Sequence, residues 1–203
     1  MKTVDFYFDF MSPFAYLAAN RLPELSRRHR TTATFRCHPI DLVAARFKAG
    51  NNGPFNRDQP AKMKALMMDL RRWAKRYGMP FNFPKSLDTA RLNRGYLIAK
   101  SRGRGDVFLE RAFDAVWGQG GDPAESALLR RVAEACEIQP ESIERDVDSP
   151  ETTGEYEKEN LEAQYPFAHR TTASGHPVRR SKRGQAQIAD KSHCNRDDRV
   201  IAR

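Results

Sequence analysis

Along residues 3–10 every second position is apolar. Val4, Phe6, Phe8 and Phe10 fall on one side, and Asp5, Tyr7 and Asp9 on the other. A period of two predicts a strand. The pattern breaks at Met11-Ser12-Pro13, where Ser12 has the chemistry of a helix N-cap and Pro13 that of a first helical position. Phe14, Leu17, Ala18, Leu22 and Leu25 then continue as one helical stripe, which Pro23 is expected to kink. Residues 32–38, TATFRCH, alternate again. Strand, helix and strand in such close succession predict a parallel, right-handed βαβ unit.

The stretch GNNGPFNRDQP (50–60) is a loop by composition. After Pro60 the period turns helical: Met63, Leu66, Met67, Leu70, Trp73, Ala74 and Tyr77 trace one stripe, ended by Gly78 and Pro80. Asp88 can cap a helix containing Leu92, Tyr96 and Ala99. Asp106 can cap another with Leu109, Ala112, Phe113 and Val116. Asp122-Pro123 starts a third, with Leu128, Leu129, Val132 and Cys136. Ser149-Pro150 opens a long polar helix ending near Gln164. The pattern therefore predicts an α/β protein with a large all-helical insertion: a βαβ start over 1–40, a helical domain over 41–164, and a basic tail over 165–203 with neither period.

Charge changes this picture little. The formal net charge is +9, but the last 39 residues hold nine lysines and arginines against three acidic residues, and the first 164 hold 26 against 23. A nearly balanced body, no recognisable binding motif and only two aromatics in the basic tail, Tyr165 and Phe167, argue against a nucleic-acid-binding protein. No apolar run is long enough for a membrane span. Asp5 and Asp9 interrupt the place of a signal peptide's apolar core, so a cytoplasmic protein is expected. Three cysteines without paired spacing agree with a reducing compartment. Cys37-His38 and His193-Cys194 lack a second ligand pair at metal spacing, so no metal is expected.

The candidate chemistry lies at Ser12. As a cap, its hydroxyl would satisfy one first-turn amide, worth about 1 kcal/mol. As a functional group, it would stand where a helix offers free amides and partial positive charge to an anion. Thioredoxin-type cysteines occupy such a corner, where the field lowers their pKa. Here the four residues are Ser12-Pro13-Phe14-Ala15, so dithiol exchange is excluded at this corner. A sulfur used there must arrive on a ligand, and glutathione is the cytosolic candidate.

Four segments, DFYFDFMSPFAYLA, GNNGPFNRD, DLRRWAKRYGMPFNFP and FDAVWGQG, resemble the 2-hydroxychromene-2-carboxylate isomerase family in order and spacing over about residues 3–164. That family is related to kappa-class glutathione transferases and to the thioredoxin-like superfamily. The resemblance implies a thioredoxin-like fold carrying the helical insertion. It also implies glutathione-dependent interconversion of 2-hydroxychromene-2-carboxylate and trans-o-hydroxybenzylidenepyruvate, in bacterial breakdown of naphthalene and related aromatics. In such a reaction the thiolate adds to the conjugated double bond, rotation follows, and the thiolate leaves. Ser12 is then the residue that hydrogen-bonds the sulfur. Asn56 and Arg57 are implied as substrate contacts, with Arg46 or nearby Lys48 as a second basic contact. Arginine suits a carboxylate and asparagine a developing enolate oxygen.

Relatives hold the glutathione peptide through a proline-containing segment and an Asp-Arg-containing segment beyond the helical domain. The nearest counterparts are Gly175-His176-Pro177-Val178 and Asp197-Asp198-Arg199, which makes His176 and Asp198 the cofactor contacts. The tail otherwise departs from the family pattern. Two other readings stay open: a kappa-like transferase, and a catalytically impaired relative with an altered C-terminus. The expected partner is a small aromatic carboxylate; a homodimer accords with the resemblance.

Overall fold

The computed structural model describes residues 2–29, 33–44 and 60–170. Strand β1 (Lys2–Phe8) leads through a turn into helix α1 (Pro13–His29), which returns to strand β2 (Ala33–Pro39). The strands pair in parallel, with Val4 opposite Phe35, Phe6 opposite Cys37 and Phe8 opposite Pro39. The predicted βαβ unit is present. Strand β1 ends two residues early because the chain turns at Asp9, whose carbonyl accepts the Ser12 amide at 2.9 Å.

Helix α1 is one helix through Pro23. The predicted stripe is buried only in part. Leu17 is buried and Leu22 packs against the core, as predicted, whereas Phe14 and Leu25 are 45% and 39% exposed and Ala15 and Tyr16 are buried instead. The phase of the helix is fixed by the turn that feeds it and by the Tyr16 hydroxyl, which donates to the Pro80 carbonyl at 2.9 Å.

A short helical turn, 42–44, follows β2, and helix α2 (Pro60–Arg76) carries Leu70 and Ala74 into the core. It closes as expected at Gly78, φ +66°. The Met79 amide reaches the Ala74 carbonyl and the Gly78 amide the Lys75 carbonyl, satisfying carbonyls that the helix end would orphan. Then come α3 (Ala90–Ser101), α4 (Gly105–Phe113), a π-turn (Asp114–Gly118), α5 (Ser126–Ala135), α6 (Pro140–Asp146) and α7 (Pro150–Arg170). The predicted stripes of α3, α4 and α5 are buried, with Leu92, Tyr96, Ala112, Phe113, Leu129 and Val132 all below 3% exposure. Helix α6 has no counterpart in the sequence reading, and the helix predicted through Val116 changes at Asp114 into the π-turn, which the sequence reading did not distinguish. Neither one- nor two-turn elements repeat a period often enough to announce themselves.

The strand end and the helical domain share one core. Phe8 meets Tyr96 edge-on at 5.0 Å, and Phe10 meets Phe113 at 4.7 Å. Gly95 lets α3 approach its neighbours. A Cβ there would lie 2.9 Å from Leu129 Cδ1 and 3.0 Å from Phe108 Cζ. Gly→Ala in a helix interior ordinarily stabilises by about 1 kcal/mol. Here overpacking, about 1–3 kcal/mol, outweighs it, so Gly95→Ala is expected to lower the urea midpoint; a raised midpoint would show that the two side chains move aside freely.

Candidate active site

The turn from β1 to α1 places Ser12 at the helix start, half-buried. Its Oγ accepts the Ala15 amide at 3.3 Å and its carbonyl accepts the Tyr16 amide at 3.1 Å. The capping role is therefore real. It uses an oxygen lone pair and leaves the hydroxyl hydrogen without an acceptor among the described residues. Pro13 has no amide hydrogen, and nothing among the described residues accepts from the Phe14 amide. One hydroxyl and one amide thus remain to face an anion at the positive end of a 17-residue helix.

Among the described residues no thiol stands at this place. Cys37 and Cys136 are buried and free. Burial pushes the Cys37 thiol up to about 11 and raises that of Cys136, which keeps both protonated and inert at neutral pH. Cys194 lies outside the described residues, as do Arg46, Lys48, Asn56, Arg57, His176 and Asp198. Of the sequence-derived site, the structure describes Ser12 alone.

The sequence reading missed what surrounds Ser12. Alternation put Asp9 on the polar face of a strand; instead it lies past the strand end, 3% exposed. Its Oδ1 accepts the Met11 amide at 3.0 Å, the Thr89 hydroxyl at 2.6 Å and Asn93 Nδ2 at 3.0 Å, and its Oδ2 accepts the Leu42 amide at 2.9 Å. Burial raises its pKa, and these four bonds pull it back. Asn93, 1% exposed, also accepts the Phe10 amide at 3.3 Å and donates to the Tyr156 hydroxyl at 3.0 Å. A signal did exist. Thr89 and Asn93 stand four apart, one helical turn, as polar residues beside an apolar stripe.

Trp117 bears on the same turn. It is fully buried, and its Nε1 donates to the Phe10 carbonyl at 2.8 Å. Phe81 stacks on it at 5.7 Å and Phe83 meets it edge-on at 5.5 Å. His38, weighed above as a strand residue, is one: it lies between Glu159, 2.8 Å from Nδ1, and Asp5, 3.2 Å from Nε2, tying the sheet to α7.

A cavity of about 890 Å³ lies between α1, β2 and α4, with Tyr16, Phe35 and Phe113 in its wall. Asp106, Glu110 and Asp114 oppose the single Arg111 there, and Ser12 is not part of it. Its sign repels a carboxylate, so it is not the candidate site.

The model of the DSBA-like thioredoxin domain matches residues 3–166 of this chain. The chain is 41% identical over 162 residues to the 2-hydroxychromene-2-carboxylate isomerase of Sphingobium xenophagum, covering 80% of this chain and 82% of that protein. It is 35% identical over 84 residues to glutathione S-transferase kappa 1 of Caenorhabditis elegans, 41% of this chain and 36% of that protein. A solved structure of a 2-hydroxychromene-2-carboxylate isomerase superposes with a TM-score of 0.75 at 35% identity, over 81% of this chain and 80% of that one.

Proposed function

The chain belongs to the 2-hydroxychromene-2-carboxylate isomerase family and is an isomerase with a DSBA-like thioredoxin domain; from that membership we propose that it interconverts 2-hydroxychromene-2-carboxylate and trans-o-hydroxybenzylidenepyruvate with glutathione as cofactor, in the breakdown of naphthalene-like aromatics. The expected thioredoxin-like fold with its helical insertion is borne out.

The observation that carries the glutathione reading is the Ser12 corner: among the described residues, a spare hydroxyl hydrogen and a spare amide at a helix start, and no thiol to use them. When bound, glutathione supplies a thiolate that adds reversibly to a conjugated double bond. The chain's part is to keep negative charge stable beside α1, which the Ser12 hydroxyl does by donating a hydrogen bond and the helix start by its field. Ser12 needs no base, since it gives a hydrogen bond and keeps its proton. For the substrate, we assign the carboxylate to Arg57, with Arg46 or Lys48 as the second cation, because a planar guanidinium matches a carboxylate. Asn56 is assigned to donate to the oxygen that becomes negative when the double bond is attacked. His176 and Asp198 remain the assigned contacts to the glutathione peptide.

The test follows the absorbance of 2-hydroxychromene-2-carboxylate with purified protein, with and without glutathione. Interconversion is expected only when glutathione is present, at constant total free glutathione. An equal rate without it would remove the cofactor from the reading. A second reading, a kappa-like transferase, is favoured by the 84-residue match. Net consumption of glutathione, one molecule per turnover, would establish that reading in place of the first.

A further inference from the structure

We propose that Asp9 is a positioning residue for this site, setting the turn that aims the Ser12 hydroxyl. The proposal rests on the thiolate reading above and adds to it the device that holds the serine in place.

Asp9 is an anion-forming group with no cation among its hydrogen-bond partners in the described residues. There, two backbone amides, one hydroxyl and one carboxamide bond to it. For folding alone, a neutral residue would serve this buried position at lower desolvation cost. The bonds show what the carboxylate does. Oδ1 holds the Met11 amide, one residue before Ser12, and Oδ2 holds the Leu42 amide in the segment leaving β2. Thr89 and Asn93, at the start of α3, grip the carboxylate from the helical domain. Asn93 accepts the Phe10 amide and Trp117 donates to the Phe10 carbonyl. The Ser12 amide closes the turn on the Asp9 carbonyl at 2.9 Å. From Asp9 to Ser12, the backbone path is thus bonded to fixed side chains, and the direction of the Ser12 Cβ follows from that path. A serine displaced by a fraction of an ångström would give a poorer hydrogen bond to a sulfur that is itself held elsewhere.

Position and charge make opposite predictions. An ionised Asp9 near the start of α1 by itself disfavours a second anion there, so removing only its charge would lower the pKa of bound glutathione's thiol. Losing the position of Ser12 would raise it. Two variants separate these effects. Asp9→Asn removes the charge and puts an amide where Oδ1 or Oδ2 accepts. Thr89→Val removes one donor, keeps the shape, and leaves the carboxylate in place.

The experiment measures kcat, substrate KM and the thiol pKa of bound glutathione, read from thiolate absorbance, on full-length protein shown to be folded by circular dichroism. Both variants are expected to lose kcat by on the order of tenfold or more, to keep KM near its original value, and to raise the thiol pKa. An unchanged kcat in folded Thr89→Val, or a thiol pKa that stays or falls in either variant, overturns the proposal. Should Asp9→Asn not fold, Thr89→Val decides by the same readings. Glutathione-independent turnover in the unaltered protein would take down the thiolate reading and this proposal together. Glutathione-dependent turnover there, with unaltered values in Thr89→Val, takes down this proposal alone.

Discussion

Replacing Ser12 by alanine is expected to lower kcat about a hundredfold while leaving the fold standing. The hydroxyl caps the helix and, in the proposed reaction, donates to sulfur; alanine separates the two roles by size. As a cap it accepts one amide, that of Ala15, at a long 3.3 Å. Losing such a cap costs about 1 kcal/mol, which for a chain of this length moves Tm by about 2–4 °C. As a donor to sulfur it faces a full negative charge in a half-buried place. Removing one preorganised donor from a charged reacting centre costs about 10²–10³ in kcat. The kinetic loss should therefore far exceed what the small shift in melting implies. Ser12→Thr retains an oxygen able to do both jobs and should recover much of the rate. Steady-state kinetics and a thermal melt on the same preparations check this. Unchanged turnover in Ser12→Ala would reduce Ser12 to a helix cap.

Trp117→Ala is expected to cause the largest loss of stability, about 3–5 kcal/mol for truncating a fully buried indole. Two effects combine there. The ring leaves a cavity between Phe81, stacked on it, and Phe83, meeting its edge. The Phe10 carbonyl loses its indole donor inside the core, a group expensive to leave unpaired, at about 1–3 kcal/mol. These contributions overlap and do not simply add. Against a total stability of about 5–15 kcal/mol, such a loss brings the protein close to unfolding at moderate temperature. Trp117→Phe keeps most of the ring and removes the donor, so its smaller loss isolates the carbonyl. Urea unfolding of the three proteins gives both numbers. A midpoint for Trp117→Ala close to that of the unaltered chain would mean that the π-turn repacks without strain.

Both predictions concern the same four-residue turn, and they differ in how visible their residues were beforehand. Ser12 could be read directly, because a serine followed by proline after a broken alternation is a local signature of a helix start. Trp117 stood in the sequence only as part of the segment FDAVWGQG, and the hydrogen bond that ties it to the turn joins residues 107 apart. Asp9 was misread. Alternation assigned it to a solvent face on the assumption that the strand ran through residue 10, whereas the chain turns at Asp9 and carries that side chain inward. Its partners Thr89 and Asn93 are 80 and 84 residues away, and no period along the chain connects such positions. The stripe of α1 was legible only in part for a related reason: Leu17 and Leu22 pack inward as its period predicts, whereas the burial of Tyr16 goes with a bond to Pro80, 64 residues away.

The sequence by itself determined the parallel βαβ start, the order of the longer helices after it, the helix start at Ser12, the stop at Gly78, and the replacement of a dithiol by a serine. Each of these rests on interactions between residues within about one helical turn or one strand repeat, where dihedral preference and side-chain spacing act alone. Tertiary structure decided where the strand ends, which way α1 faces, and that a carboxylate, a carboxamide, a hydroxyl and an indole converge on the turn before Ser12. Those outcomes depend on burial. A buried polar group takes whichever partner the packed core brings within hydrogen-bond reach, and that partner is set by how helices far along the chain dock against β1.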